Sequence, residues 1–437
     1  MLQAGFARMD ITLPLGTGMA GYFAPRPANG VLDPLSLNAI AFSDGSETAV
    51  IITVDALGIR YMFCDEIKAL IEEKTGVPAD HIILSALHQH TSFVMRPKGG
   101  TCALQDQNYI DVLYRKFADV AKMAVDDLTE ARVLWSIAPA TKPLSFIRRY
   151  RMKDGRVLTN PGSDKYVGQI VEPAGKSDND VRLIRFVREG KREIALVHFC
   201  THPDVIGGHK ISADWPGFVR KFVEEEHDAD CIFINGFQGD VNHINFEIPK
   251  EERFPAGSGY KHAEYMGRVI ADTVNLVWDK GEEKASDTVR AAQSAIYNQT
   301  RIDGAEDYDV CKPIYDEFMK TFKIPEDAAI KDLAYLRRVV EMRTDPIFRR
   351  VPVSAITVGD IAFVGLGGEP FSHYAEGIRA GAPDKTVITL TCSNGFEGYL
   401  PTALAFAEGG YEATASAFTP DLEDQCVSAA VELLKKM

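Results

Sequence analysis

The sequence predicts an α/β protein: a layered, mixed β-sheet core flanked by helices, with its functional site at strand ends. Three observations predict it. Short apolar, β-branched runs such as "TAVIITV" and "EIALVHF" alternate with longer amphipathic stretches such as "NYIDVLYRKFADVAKMAVDDL", the pattern of sheets covered by helices. Hairpin-type turns and helix-length crossovers both occur, so strand directions are mixed. Polar residues collect where the apolar runs end, which is where open α/β sheets place their sites.

The elements follow in order. "LNAIAFSD" (37–44) and "TAVIITVDALG" (48–58) read as strands joined by the turn "DGSE". "FCDEIKALIEEKTG" (63–76) has helical apolar spacing and stops at Gly76. "DHIILSALH" (80–88) is the next strand, and residues 108–128 form a long amphipathic helix. Strands are expected at 181–187, 193–200 and 229–236, with helices at 216–228 and 264–280. Residues 309–322 and 326–343 read as a charged helical pair, inserted near 305–345. "VSAITVGDIAFVGLGG" (353–368) returns to strands around a Gly359–Asp360 turn, "KTVITLTCSNG" (385–395) is a last buried strand, and residues 421–437 close the chain as a helix. The whole reads as one domain over residues 1–437.

Composition narrows the function. The chain has 437 residues, 46% of them hydrophobic, ample for a large core. Its net charge is −14, and its densest basic stretch, "IRRYRMK", is short, which argues against a nucleic-acid partner. No apolar run reaches the roughly 18 residues of a membrane span. The start lacks the basic-then-apolar pattern of a secretion signal. The seven cysteines are odd in number and include no CxxC, so they read as buried free thiols in a reducing compartment. Together these give a cytoplasmic protein as the expectation.

Five polar segments carry the chemistry. In "LHQHTS", strand alternation places His88 and His90 on one face; the pair reads as loop-capping histidines or as metal ligands. In "HFCTHPDVIGGHKISADWPGF", His198 reads as a core residue and His202, at the strand exit, as the better ligand. Asp214 in the same segment reads as a helix N-cap or a catalytic acid. "INGFQGDVNHINF" crowds Asp240, Asn242 and His243 after a buried strand, a pattern also compatible with plain turn chemistry. Glu369 follows a strand and two glycines, where it fits either a ligand or the N-terminal charge of a helix. "CSNGFEGYLPT" brings Tyr399 after the last strand. Seven of the ten histidines fall in these segments, and two His, a carboxylate and another oxygen suit Zn²⁺ with an open position for hydrolysis.

Taken in order, these segments resemble the N-terminal catalytic domain of the neutral/alkaline ceramidases. The likeness runs from "AGFARMDITLPLGTGMAGY" and "RPANGVLDPL" through "VDALG", "LSALHQHTS", "HFCTHP", "QGDVNHIN" and "GGEPFS" to "NGFEGYLPT". The resemblance implies a zinc ion held by His88, His202, Glu369 and Tyr399, with His90 facing the substrate and an amide bond as the target. Phe396 stands at the earlier aromatic of the tyrosine motif and cannot ligate. Asn242 and His243 stand where the family has Ser and Pro in its GDVSPN motif, so a serine nucleophile is excluded there. "TSFVMRP" replaces the family's glycine-proline tail, and no C-terminal immunoglobulin-like domain is expected.

The resulting expectation is a zinc-dependent hydrolase that cleaves a small-molecule amide or related acyl bond by metal-activated water. His90, Asp240 and Asn242 are its catalytic candidates. His243, Arg148 and Arg149 are its substrate-binding candidates, the arginines as a clamp for an anionic group or as ordinary surface residues. Asp240 also fits a bracing role behind a ligand. Two alternatives stand beside this: an inactive ligand-binding homologue, motivated by the lost serine, and a shared fold whose polar loops are structural.

Overall fold

The computed structural model describes residues 1–97, 104, 106–162, 166, 168–253, 257–342 and 347–437. Two β-sheets pack face to face between layers of helix. The larger has nine strands. Eight lie in the order β8-β7-β6-β5-β1-β2-β3-β4, comprising β1 (Gln3–Asp10), β2 (Ser36–Ser43), β3 (Thr48–Val54), β4 (Ile82–Ala86), β5 (Thr129–Pro139), β6 (Asp180–Arg188), β7 (Glu193–Phe199) and β8 (Ala229–Asn235). The short strand Glu282–Lys284 pairs with β5. The smaller sheet runs β9 (Val289–Gln299), β10 (Phe348–Val358), β11 (Ile361–Leu366), β12 (Thr386–Leu390).

Period-two alternation builds the layers. In β3, Ala49 and Ile51 face the second sheet, meeting Ile356, Phe363 and Ile388, whereas Val50, Ile52 and Val54 face helices. Those helices are α1 (Tyr61–Thr75) and α2 (Gln107–Asp126). α3 (Asp214–Glu226) and α4 (Tyr260–Val277) cover the other half of the large sheet. α7 (His373–Gly381) and α8 (Leu422–Leu434) cover the small sheet. α5 (Tyr308–Thr321) and α6 (Leu333–Met342) pack against each other around Cys311, Leu336 and Val339, a small core of their own.

One topological unit recurs three times: an antiparallel hairpin followed by a helical crossover to a parallel strand. It appears as β2-β3-α1-β4, as β6-β7-α3-β8 and as β10-β11-α7-β12. Each unit therefore offers two adjacent strand ends pointing the same way, the position where α/β sheets take ligands. Asn394, just past β12, ties that strand's exit to the first half of β4. Its side chain accepts from Leu84 N and donates to Ile82 O on β4.

Most expected elements are present. β1, β5 and β9 are additional strands whose alternation is diluted by alanine and by half-exposed positions. The expected helix at 326–343 is shorter, Leu333–Met342, and its final residue lies outside the described ones. Asp214 is the first residue of α3, with φ 54, and its carboxylate accepts from both Trp215 N and Ile206 N. It thus ties the preceding loop to the helix start rather than capping from outside. Six described cysteines are buried free thiols, and Cys102 lies outside the described residues. Among the described residues, no helix is long and apolar enough to cross a membrane.

Candidate metal centre

The strand ends deliver the site. β4 stops at Ala86, so His88 and His90 lie in the loop beyond it. Their rings lie 5.1 Å apart because His88 adopts φ 78, a left-handed conformation unusual for a residue with a Cβ, and not through strand alternation. Gln89 anchors the turn between them, donating to Asp55 Oδ1 at 2.7 Å. Asp55 is itself held by both terminal nitrogens of Arg220, at 3.1 and 2.7 Å, and by Ser36. A buried carboxylate on β3's exit therefore fixes the loop that carries both histidines.

Each ligand candidate is oriented by a backbone carbonyl. His88 Nδ1 donates to Leu57 O at 2.8 Å, and His202 Nδ1 to Gln238 O at 3.1 Å. A carbonyl only accepts, so in both rings Nδ1 carries the proton and Nε2 presents a lone pair. Both lone pairs meet Glu369: Oε2 lies 3.2 Å from His88 Nε2 and 3.6 Å from His202 Nε2. Glu369 is positioned by a short parallel pairing with Tyr399, its own N–H donating to Gly398 O. Gly239 permits this approach, since a Cβ there would lie 2.3 Å from the Glu369 carbonyl oxygen.

His90 packs on Gly21, where a Cβ would meet the ring at 2.6 Å. Its ring lies 5.4 Å from that of His202, and neither ring nitrogen has a hydrogen-bond partner among the described residues. Tyr399 is half-buried, with the Arg148 guanidinium 5.2 Å from its ring.

Burial and mutual charge divide the cluster. Burial opposes a charge on His88, but the Glu369 carboxylate outweighs it and holds the imidazole well above its ordinary pKa. Burial also opposes the charge on Glu369, and His88 holds its pKa down. Burial, then the His88 charge, pushes His90 down to about 3. Burial, followed by Arg148 and His88, pushes His202 well below its usual value. Burial raises the Tyr399 phenol well above its ordinary range despite Arg148. With no ion at the shared point, these directions favour a proton between His88 Nε2 and Glu369; an ion there would replace that proton and leave the His88 Nε2 lone pair to bind it.

These residues fit a small divalent ion. Two ligand atoms bound at about 2.0–2.1 Å and the tetrahedral angle lie roughly 3.3 Å apart. The Nε2–Oε2 separations of 3.2 and 3.6 Å bracket that value. His202 Nε2 and Glu369 Oε2 are buried without a hydrogen-bond partner, which is costly unless something occupies the point they share. The ring nitrogens of His88, His90 and His202 also lie within 4.8 Å of one another, so three imidazoles surround that point.

The remaining candidates lie around the cluster. Asp240 accepts from Ser372 N at 2.7 Å and Ser372 Oγ at 3.1 Å, so it braces the segment after Glu369. Asn242 donates to Asn160 Oδ1 and accepts from Ile244 N. His243 Nδ1 stands 3.1 Å from Asp204 Oδ1. Arg148 donates to Glu412 and to Gly239 O, and Arg149 to Gly409 O and Glu408, so both guanidinium groups are engaged internally. None of these five lines the cavity of about 220 Å³ that opens onto His88, His90, Glu369 and Tyr399. The arginines that do line it include Arg60, Arg337 and Arg349, none of which stood out in the sequence. Asp204, two residues after His202, is a further such residue; its charge acts on both His90 and His202.

The site is thus a buried histidine–carboxylate cluster at the strand ends of an α/β sandwich, of the kind that holds a divalent metal. No family model and no curated protein matches the chain. Solved structures do. Neutral ceramidase from Pseudomonas aeruginosa aligns with a TM-score of 0.74 and 14% identity, over 100% of this chain and 75% of that one. A ceramidase complexed with C2 gives the same TM-score and identity over 100% and 76%. The chain has a neutral ceramidase-like fold.

Proposed function

We propose that this protein is a zinc-dependent hydrolase of amide or related acyl bonds. One observation carries the reading: His88 Nε2, His202 Nε2 and Glu369 Oε2 converge at metal-ligand spacing, at one mouth of a cavity. The neutral ceramidase-like fold supports the reaction class. His88, His202 and Glu369 would hold the ion, with Tyr399 as the fourth ligand. A zinc ion there would supply Lewis acidity and lower the pKa of water toward 7.

The chain's own groups do the rest. His90 lines the cavity with neither ring nitrogen hydrogen-bonded among the described residues, and an ion in place of the His88 proton would remove the His88 charge that lowers its basicity, so it takes the proton from the attacking water. The carbon–oxygen bond forms, the tetrahedral centre collapses, and the carbon–nitrogen bond breaks. His90 then returns the proton to the leaving amine. Asp240 acts as a positioning residue, since Ser372 follows Glu369 by three positions and is fixed by it. Asn242 is engaged with Asn160 outside the cavity lining, so the reaction does not need a nucleophile at that position. We read α5 and α6 as an insertion near 305–345 within one domain. Elemental analysis of wild type and His88→Ala/His202→Ala tests the reading. About one zinc per chain, lost in the double variant together with amide hydrolysis, is expected. A zinc-free wild type that still cleaves amides defeats it.

A further inference from the structure

We propose that the cavity beside the histidine–glutamate cluster takes a compact amide whose other end carries an oxyanion, received by Arg60, Arg337 and Arg349. The inference rests on the hydrolase reading for the word amide; the oxyanion site stands on separate residues. A single cavity of about 220 Å³ joins the two.

The charge balance of its walls is inverted relative to the chain. Overall the protein carries 62 acidic against 48 basic residues. In the cavity, beyond Glu369, Arg60, Arg337 and Arg349 face only two carboxylates among the described residues, Glu397 and Glu341. Those two are already used: Arg60 lies 2.8 Å from Glu397, and Arg337 lies 3.0 Å from Glu341. Arg349 has no ion pair within 4 Å among the described residues. Its surroundings are burial and the charges of Arg60 and Arg337, which oppose its own, with Glu397 and Glu341 in partial compensation. A half-buried, unpaired cation beside two others attracts an anion.

The three guanidinium groups come from three separate elements: the residue before α1, the exposed turn of α6, and the start of β10. A planar donor fork held on such elements suits carboxylate, sulfate or phosphate oxygens and does nothing for an alkyl chain. The volume points the same way, because pockets for drug-sized ligands run about 300–1,000 Å³. A compact, charged amide fits these walls better than a long lipid.

The test uses the protein as purified, with its metal content measured. Binding of three probes of similar size is compared by calorimetry at low salt: N-acetylglycine, the phosphate ester of N-acetylethanolamine, and uncharged N-acetylethanolamine. At least one anionic probe is expected to bind tenfold or more tightly than the uncharged one, with affinity falling as salt rises, about 1.4 kcal/mol of preference. Which anion wins identifies the oxyanion. Arg349→Gln should abolish the preference and Arg349→Lys should keep part of it. Should Arg349→Gln fail to fold, Arg337→Gln, at a side chain 42% exposed, takes its place. Equal or tighter binding of the uncharged probe, no binding of either anion at millimolar concentration, or a preference that survives both glutamine variants overturns the proposal. Hydrolysis of the uncharged amide on the same preparation separates the two readings. Hydrolysis without anion preference removes the oxyanion site alone, and anion preference without hydrolysis of any probe removes the hydrolase alone.

Discussion

Replacing Gly239 by Ala should disable the metal centre without touching a ligand. The glycine N–H donates to Pro370 O at 2.8 Å, which holds its Cα against the Glu369 backbone. An added Cβ would lie 2.3 Å from Glu369 O, 2.9 Å from Pro370 O and 3.0 Å from Glu369 C. Relaxing the first contact to about 3.3 Å, an ordinary carbon–oxygen approach, requires a shift of about 1 Å. The partner atoms are backbone on both sides, and Arg148 also donates to Gly239 O, so neither side swings away freely. Overpacking of this kind destabilises by about 1–3 kcal/mol. Displacing a ligand's support lowers metal affinity about 10–100-fold, and a 1 Å misplacement lowers kcat/KM about 100-fold. Competition against a colorimetric chelator reads the affinity, and circular dichroism confirms folding. A folded Gly239→Ala protein with metal affinity and turnover within about threefold of wild type would refute the argument that this glycine seats Glu369.

Other expected outcomes follow from the same geometry. His90→Ala should keep about one metal per chain while kcat falls by about 10²–10⁴, and loss of the metal would instead place His90 among the ligands. Glu412→Ala strands Arg148, since both side chains of that 2.6 Å pair are buried, and should cost about 3–5 kcal/mol in denaturant unfolding; a loss below about 1 kcal/mol would contradict it. Burial raises the Asp214 carboxyl from 3.8 to about 7, against the N–H donors of Ile206 and Trp215. The folded protein therefore binds the proton more tightly than the unfolded chain, so stability present below pH 4 is lost as pH rises toward 7. The wild-type advantage over Asp214→Asn should shrink by up to about 4 kcal/mol between pH 4 and 8, whereas parallel stability–pH curves would exclude that titration.

The sheet core was legible because its strands are dense in β-branched and apolar residues and its helices repeat at helical spacing. The proposed histidine and glutamate ligands were legible because His88, His202 and Glu369 each lie a few residues past such a strand, whereas Tyr399 lies further on, in its own short pairing with Glu369. Strand alternation does not bring His88 and His90 together, because alternation needs a strand and β4 ends before either. What replaces it is a positive φ and the Asp55–Gln89 anchor, neither visible in a pattern of residue types. Asp204 was legible in principle, since "HPD" places it beside His202, but its role depends on where His90 and His243 come to lie. Arg148 and Arg149 drew notice by being adjacent, whereas their partners Glu408 and Glu412 lie far along the chain. Arg60 and Arg349 have the opposite problem: each is unremarkable locally, and only the fold brings them to one cavity.

That division has a consequence for specificity. His88, His202 and Glu369 follow strands whose cores are shared by both sheets, and Tyr399 is paired to Glu369, so moving these residues disturbs the main hydrophobic interior. Arg337 sits on α6, which packs with α5 around a separate small core. Changes there alter the cavity wall while leaving the ligand geometry intact. Among chains of this fold, the reaction centre should therefore vary less than the surface that faces it. The charge on that surface, more than the metal site, then decides which amide is taken. A swap of Arg337 and Arg349 for apolar residues should move preference toward uncharged amides without changing metal content. If metal content fell together with anion preference, the two ends of the cavity would be one coupled unit and this separation would be wrong.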